Sequence, residues 1–458
     1  MFFEHNLPEN APIWLDASVM VKFNDTMAKI RGRMELLETS LEVTGMTGET
    51  FSKYAKKLFD MDPERFDSLT PEDIASFVFM MNDGKEAEPR MEWSNAITVV
   101  DTAFLTTKEW ESVRHIGIGG SEAAVVLGVS PYQTASGLYH AKVGTPEVKK
   151  ADDHQWVFDR GHVMEPYVID AFCHLTGAKV IPETRMFASR KYPNCTANID
   201  AIIRFDDGRM FVFEAKTTIK ANWAAWSCDQ IPGHYVPQMR QYPAVLDDDR
   251  ILGTYIGCCF TDDTVVGGMY AGSQFDGKKF VARYIEREKT IEEDQLKAEE
   301  EWFHDYIEAN TVPPMEGNPK AEEQVIQTYL QGPKEAPQKW GRQEVESDIQ
   351  QWMKIRQEHS EAQKRVKALD KDAKSVSVRL IEKLGASTEA TVDLGDGTCY
   401  QVKNSPRART SVNTEDLDTL LDVAAPHLPQ ELVSKLRACI VKDEDSYRVF
   451  SIKEKKVV

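Results

Sequence analysis

The residues best suited to chemistry cluster near the middle of the 458-residue chain. Asp200 is followed fourteen residues later by Glu214-Ala215-Lys216. Two carboxylates and a backbone carbonyl offer the hard oxygen ligands that Mg²⁺ prefers. An ion held there polarises a phosphate ester and makes a water more acidic. A lysine two residues after a glutamate shares its strand face. It can orient the attacking water and offset developing charge. The spacing by itself also arises by chance in a chain with 74 acidic residues, where it would be a solvated hairpin face.

Neighbouring segments add weight. Arg160-Gly161-His162-Val163-Met164-Glu165-Pro166 precedes the triple of Asp200, Glu214 and Lys216, and its Glu165 lies on a predicted helix with an apolar face at Val168, Ile169 and Phe172, ended by Gly177. Glu165 is either a further metal ligand or a helix N-terminal charge favourable to the dipole. Upstream, Arg114 precedes Gly119-Gly120-Ser121-Glu122. Glycines before a serine at a helix start offer amides to an anion, or form an ordinary turn with an N-cap serine. Downstream, Tyr235-Val236-Pro237-Gln238-Met239-Arg240-Gln241-Tyr242 reads as a polar, aromatic helix start.

These groups need a scaffold. Strand-like runs fall at 179–182, 196–205, 209–216 and 251–260, and helical runs at 121–127, 156–175 and 291–308. Residues 106–312 therefore read as an α/β (α+β) core. Hairpin register decides whether the carboxylates meet. A two-residue turn at Asp207-Gly208 sets Asp200 against Ala215 and turns Glu214 and Lys216 to the other face. A three-residue loop, Asp206-Asp207-Gly208, sets Asp200 against Glu214 with Lys216 on the same face. That loop requires a left-handed glycine at its third place.

The flanks look helical. Residues 1–105 form an extension in which Met20, Phe23, Met27, Ile30, Met34, Leu37 and Leu41 make one stripe, and Thr70-Pro71 starts a helix running to about 81. Residues 313–345 read as a linker with one helix. Over 346–385, Trp352, Ile355, His359, Ala362, Val366, Leu369, Ala373, Val376 and Leu380 recur by three and four. That is a long amphipathic helix, either a coiled-coil arm or a helix packed on its own chain. Residues 386–458 form a small α/β module, with strands at 391–394 and 398–403 around Gly395-Asp396-Gly397, helices at 414–423 and 430–439, and a strand at 447–452.

Composition sets bounds. The net charge of −19 excludes a protein that simply coats nucleic acid, and leaves room for a local basic channel. No run of 18 apolar residues calls for a membrane span, and the first residues lack a secretion signal. Seven scattered cysteines suit reduced thiols and a cytoplasmic setting.

Together the pieces resemble a family. Arg114-x₆-Ser121, Arg160-Gly161-x₃-Glu165-Pro166, Asp200, Glu214-x-Lys216 and Tyr235-x₂-Gln238-x₂-Gln241 occur in the order seen in YqaJ-type viral recombinases, which are similar to the phage lambda exonuclease and belong to the PD-(D/E)XK superfamily. Gly119-Gly120-Ser121-Glu122-Ala123-Ala124 and Leu127-Gly128-Val129-Ser130-Pro131-Tyr132 are the most specific stretches. The resemblance covers roughly 110–260, and the segment 446–453 looks like the tail of longer phage members. It implies a restriction-endonuclease-like core. Asp200, Glu214, the Ala215 carbonyl and Glu165 would bind Mg²⁺, with Mn²⁺ able to substitute. Lys216 would serve the nucleophilic water, Arg114 and Ser121 would hold a DNA phosphate, and Gln238 would steady the site. Asn198-Ile199 stand where the family often has a small residue and proline, so a serine contact there is replaced by the amide or lost. The resemblance further implies 5′→3′ digestion of duplex DNA from an end in phage or prophage recombination. A ring-shaped homotrimer and a single-strand annealing partner would come with it.

Two other readings compete. One is a nuclease of the same superfamily with another role, such as a CRISPR-associated or helicase-linked iron–sulfur enzyme. Its cysteines would bracket the core, whereas Cys173, Cys195, Cys228, Cys258 and Cys259 lie within or just after it. The other is a degenerate fold serving as a DNA- or protein-binding scaffold. Degeneration removes an acid or the lysine, and Glu165, Asp200, Glu214 and Lys216 are all present.

Overall fold

A computed structural model describes residues 2–147, 155–226, 230–266, 269–330, 341–393, 398–407 and 447–456. It has two units, Met1–Glu335 and Ala336–Val458. Among the described residues no helix is long and apolar enough to cross a membrane.

The first unit begins with helices α1 (Ala17–Thr44), α2 (Gly48–Met61), α3 (Pro63–Phe66) and α4 (Pro71–Met81). The expected stripe of α1 is its buried face, with Phe23, Met27, Ile30, Met34 and Leu37 in the core. Thr70 and Asp73 exchange the reciprocal bonds of a capping box at the start of α4. The 1–105 segment is not wholly helical: strand β1 (Ala96–Asp101) follows, and pairs antiparallel with the strand Arg185–Ser189. Its Ile-Thr-Val-Val run is a β-branched signal that outweighs the helical context.

Next come α5 (Thr107–Val113), β2 (Ile118–Gly119), α6 (Gly120–Val126), α7 (Ala135–Val143), α8 (Gln155–Thr176), β3 (Lys179–Ile181), β4 (Arg185–Ser189), β5 (Cys195–Asn198), β6 (Ala201–Arg204) and β7 (Met210–Ile219). After them lie α9 (Val236–Leu246), β8 (Ile251–Val266), β9 (Met269–Glu286), α10 (Lys289–Trp302) and α11 (Pro319–Val325). The mixed α/β class is as expected. The 196–205 run is not one strand. It divides at Ile199-Asp200 between two sheets, ordered β1-β4-β5-β2 and β3-β6-β7-β8-β9. The break frees Asp200 from the ladder, and its side chain takes the Ala215 amide instead.

The β6–β7 hairpin has the three-residue loop. Ala201 pairs with Phe213 and Arg204 with Met210, and Gly208 has φ of +88°. The Phe205 amide donates to Arg209 O at 2.9 Å and closes the loop. Strand β7 then pairs in parallel with β8, the chain crossing between them through α9. Phe213, Phe211, Phe172 and Val168 pack α8 onto the sheet, while Val245, Leu246, Ile202 and Val212 fill the α9 side.

The second unit holds α12 (Arg342–Leu384) and a sheet of β10 (Glu389–Asp393), β11 (Thr398–Arg407) and β12 (Tyr447–Lys456), ordered β10-β11-β12. The expected hairpin and last strand are present. The turn at 394–397 and the helices expected at 414–423 and 430–439 lie outside the described residues.

Candidate active site

Arg114, Ser121, Glu165, Asp200, Glu214, Ala215, Lys216 and Gln238 all line one cleft of about 760 Å³. The elements that bring them there are α8 for Glu165, the β5–β6 break for Asp200, β7 for Glu214 to Lys216, and α9 for Gln238.

Glu214 is buried. Its Oε1 accepts from Gln238 Nε2 at 2.7 Å and is paired with the Lys216 ammonium. Its Oε2 is buried with no hydrogen-bond partner. Asp200 Oδ2 accepts from the Ala215 amide at 2.8 Å. Burial, then the charges of Glu214 and Glu165, push the Asp200 carboxyl well above its ordinary range. Burial and Glu214 raise Glu165 likewise. Burial opposes the Lys216 ammonium, but Glu214 and Asp200 outweigh it and hold it above the lysine range. The ring of Tyr235 lies 5.4 Å from Lys216 Nζ.

Three mutually repelling carboxylates and one cation leave excess negative charge in a half-buried place. Together with the unpartnered Glu214 oxygen, this donor set fits a hard divalent cation. Among the described residues no three Asp, Glu, His or Cys side chains stand close enough together to hold a metal ion between them. The fit therefore rests on the chemistry of the donors, a buried unpartnered carboxylate oxygen of Glu214 beside other carboxylates in an open cleft with room for water and phosphate.

The glycine segment differs from its expected role. Helix α6 starts at Gly120, so Ser121 lies in its first turn and is not the N-cap. The Gly119 amide is taken up by Glu122 Oε2 at 2.8 Å and is not free for an anion. A Cβ on Gly120 would come within 2.6 Å of Tyr242, so close packing of α6 on α9 requires glycine there. Ser121 Oγ is 3.4 Å from Arg114 Nη2, so that pair does share one corner of the cleft.

Arg114 is positioned by residues whose roles were not foreseen. Glu122 Oε1 accepts from its guanidinium at 2.7 Å, and Trp110 lies beneath it at 4.9 Å. Lys142, itself buried, donates to the carbonyls of Arg114 and Gly117 and pairs with Glu122 at 2.6 Å. Burial first, and Arg114 among the nearby charges, lower the Lys142 amine to about 8. The i, i+3 relation of Gly119 to Glu122 was a readable capping signal. Nothing in the sequence pointed to Lys142.

The two glutamines of α9 divide the work. Gln238 reaches the site, while Gln241 Nε2 bridges Ile118 O at 2.8 Å and Thr196 O at 2.9 Å, tying β2 to β5. Asn198 also faces the cleft, and its Oδ1 lies 3.4 Å from Thr102 Oγ1.

Residues 109–249 match the model of the YqaJ-like viral recombinase domain, the family that the motifs resemble. The uncharacterized protein YqaJ of Bacillus subtilis (strain 168) is 28% identical over 284 residues, which span 62% of this chain and 82% of that protein. Two structures of LHK-Exo were also matched. The alkaline exonuclease from Laribacter hongkongensis is 18% identical with a TM-score of 0.33, and LHK-Exo in complex with dAMP is 17% identical with a TM-score of 0.32. Each alignment covers 44% of this chain and 94% of the other.

Proposed function

We propose that the first unit is a divalent-metal-dependent deoxyribonuclease that digests linear duplex DNA from an end, 5′→3′, in phage or prophage recombination. The observation that carries this reading is the meeting of Asp200, Glu214 and Glu165 with Lys216 in a cleft that also holds Arg114 and Ser121. Mg²⁺, with Mn²⁺ as a substitute, would supply Lewis acidity toward the phosphate when bound by Asp200, Glu214, the Ala215 carbonyl and Glu165. Lys216, kept protonated by its neighbours, donates to the attacking water and to the phosphate oxygens as charge builds. Gln238 fixes one Glu214 oxygen and leaves the other for the cation. Arg114, steadied by Glu122, presents a guanidinium to a DNA phosphate, a task suited to its planar fork. By family resemblance the enzyme works as a homotrimer beside a single-strand annealing protein in the cytoplasm of the host cell.

The test is digestion of a linear duplex by the full chain with Mg²⁺, Mn²⁺ or chelator, and with closed circular duplex as control. Metal-dependent loss of the linear substrate alone is expected. No cleavage under any metal would leave a binding scaffold as the better description, and cutting of the closed circle would make it an endonuclease.

A further inference from the structure

Helix α12 carries an apolar stripe that no described residue of its own unit covers. Trp352, Ile355, Val366 and Leu369 are each more than half exposed. The stripe is regular. Taking Trp352, His359, Val366, Ala373 and Leu380 as heptad position a, Ile355, Ala362, Leu369 and Val376 fall at d without interruption. Such a seam over a helix of 43 residues is the geometry of a two-stranded coiled coil.

The flanking charges choose the partner. Position g is occupied in turn by Glu358, Arg365, Asp372 and Arg379, so the signs alternate. When two identical helices run antiparallel, g faces g of the other helix. With Val366 opposite Leu369 of the second copy, Glu358 meets Arg379 and Arg365 meets Asp372, and each pair occurs twice. A slip of one heptad either way brings Arg365 or Asp372 against its own copy and sets like charges together along the edge. The parallel arrangement pairs g with e and yields one favourable contact, Arg365 with Asp370, while stacking His359 on itself. Antiparallel, His359 packs on Val376, Ile355 on Leu380 and Ala362 on Ala373. We infer that α12 binds α12 of a second copy of this chain as an antiparallel coiled coil in this single register.

The charge swap that tests this uses the full chain. Arg365→Glu places a carboxylate against Asp372 at both symmetry-related contacts, and light scattering on a sizing column should show at least a tenfold weaker association of the particles joined through α12, beyond any assembly made by the first unit. Adding Asp372→Arg in the same chain should restore it, because opposite charges then face each other again with their signs exchanged. These two positions are seven residues apart on one helix, about 10 Å, and cannot pair within it. Rescue supports the proposal. If Arg365→Glu leaves association unchanged, the stripe packs elsewhere and the proposal is overturned. If the double variant is not rescued, the antiparallel register is overturned. As a second measurement, oxidising a mixture of Ala362→Cys and Ala373→Cys chains should cross-link one to the other. Cross-linking of Ala362→Cys with itself would instead establish the parallel pair and overturn the antiparallel one.

Discussion

Asp200 accepts a hydrogen bond from the amide of Ala215 at 2.8 Å, one residue along from the position that a continuous ladder would pair with it. This bond fastens the end of β5 to the strand that carries Glu214 and Lys216. It also fixes the peptide plane between Glu214 and Ala215, in the middle of the acidic segment. Substitution of Asp200 by Asn exchanges an acceptor-only carboxylate for an amide that can present either atom. With Asp200→Asn, calorimetric titration of Mn²⁺ should show at least tenfold weaker binding while the melting temperature stays near that of the wild type. Unchanged Mn²⁺ affinity would remove Asp200 from the ligand set.

Under the proposed function, Lys216 separates chemistry from metal binding. Lys216→Ala should abolish cleavage, with a loss of at least a hundredfold, and retain both Mn²⁺ affinity and DNA binding. Because Lys216 offsets the Glu214 and Asp200 charges, its loss should leave the cation bound at least as tightly. Single-turnover digestion, read beside a binding titration, distinguishes these effects. Wild-type turnover in the variant would end the nuclease assignment.

Arg114 and Glu122 form one device. Arg114→Ala should slow digestion of 5′-phosphorylated ends much more than that of 5′-hydroxyl ends, if the guanidinium has the proposed role of reading a phosphate. Equal slowing on both would put its contact elsewhere along the duplex. Glu122→Gln leaves the arginine in place but removes the charge that holds it and Lys142. Breaking one partner of a buried ion pair costs on the order of 3–5 kcal/mol, so this variant should melt earlier as well as lose end preference.

How much of this was readable follows from which forces act locally. The β6–β7 register was legible because loop length and a single glycine determine it: Gly208 at φ +88° is the only way to close that three-residue turn without strain. The α1 stripe and the Thr70 cap were legible for the same reason. The split of 196–205 was not, because what breaks the strand is a bond to Ala215 on another strand. Strand β4, whose five residues are all buried, shows no alternation to read. Lys142 acts through carbonyls distant in sequence, so only the fold reveals it.

The hairpin also yields a register test. Deleting Asp207 shortens the loop to two residues and shifts the pairing by one, turning Glu214 and Lys216 away from Asp200. Gly208→Ala keeps the loop length but puts a side chain at positive φ, costing roughly 1–2 kcal/mol. The deletion should therefore abolish cleavage completely, whereas Gly208→Ala should lower the melting point and leave activity measurable at low temperature. Full activity in the deletion variant would contradict the shared face of Asp200 and Glu214.

Away from the site, Glu299 in α10 makes stability depend on pH. It is fully buried; Gln295 donates to its Oε1 at 2.9 Å, and its Oε2 has no hydrogen-bond partner. Burial, the largest influence, raises its carboxyl to about 8 from the ordinary 4.5. The folded chain thus holds this proton where the unfolded chain releases it. Stability from Glu299 is therefore fully present below pH 4.5, falls as the pH rises, and is lost once the pH passes about 8. Glu299→Gln mimics the protonated carboxyl at every pH. Its unfolding free energy should match that of the wild type below pH 4.5, exceed it increasingly as the pH rises to about 8, and level off above that at a difference on the order of a few kcal/mol, with the melting temperature following the same course. Taking the difference between the two proteins cancels the general acidity of the chain, since both carry the other 73 acidic residues of the total of 74. A difference that stays flat with pH would mean that Glu299 finds water or another partner and ionises normally in the fold.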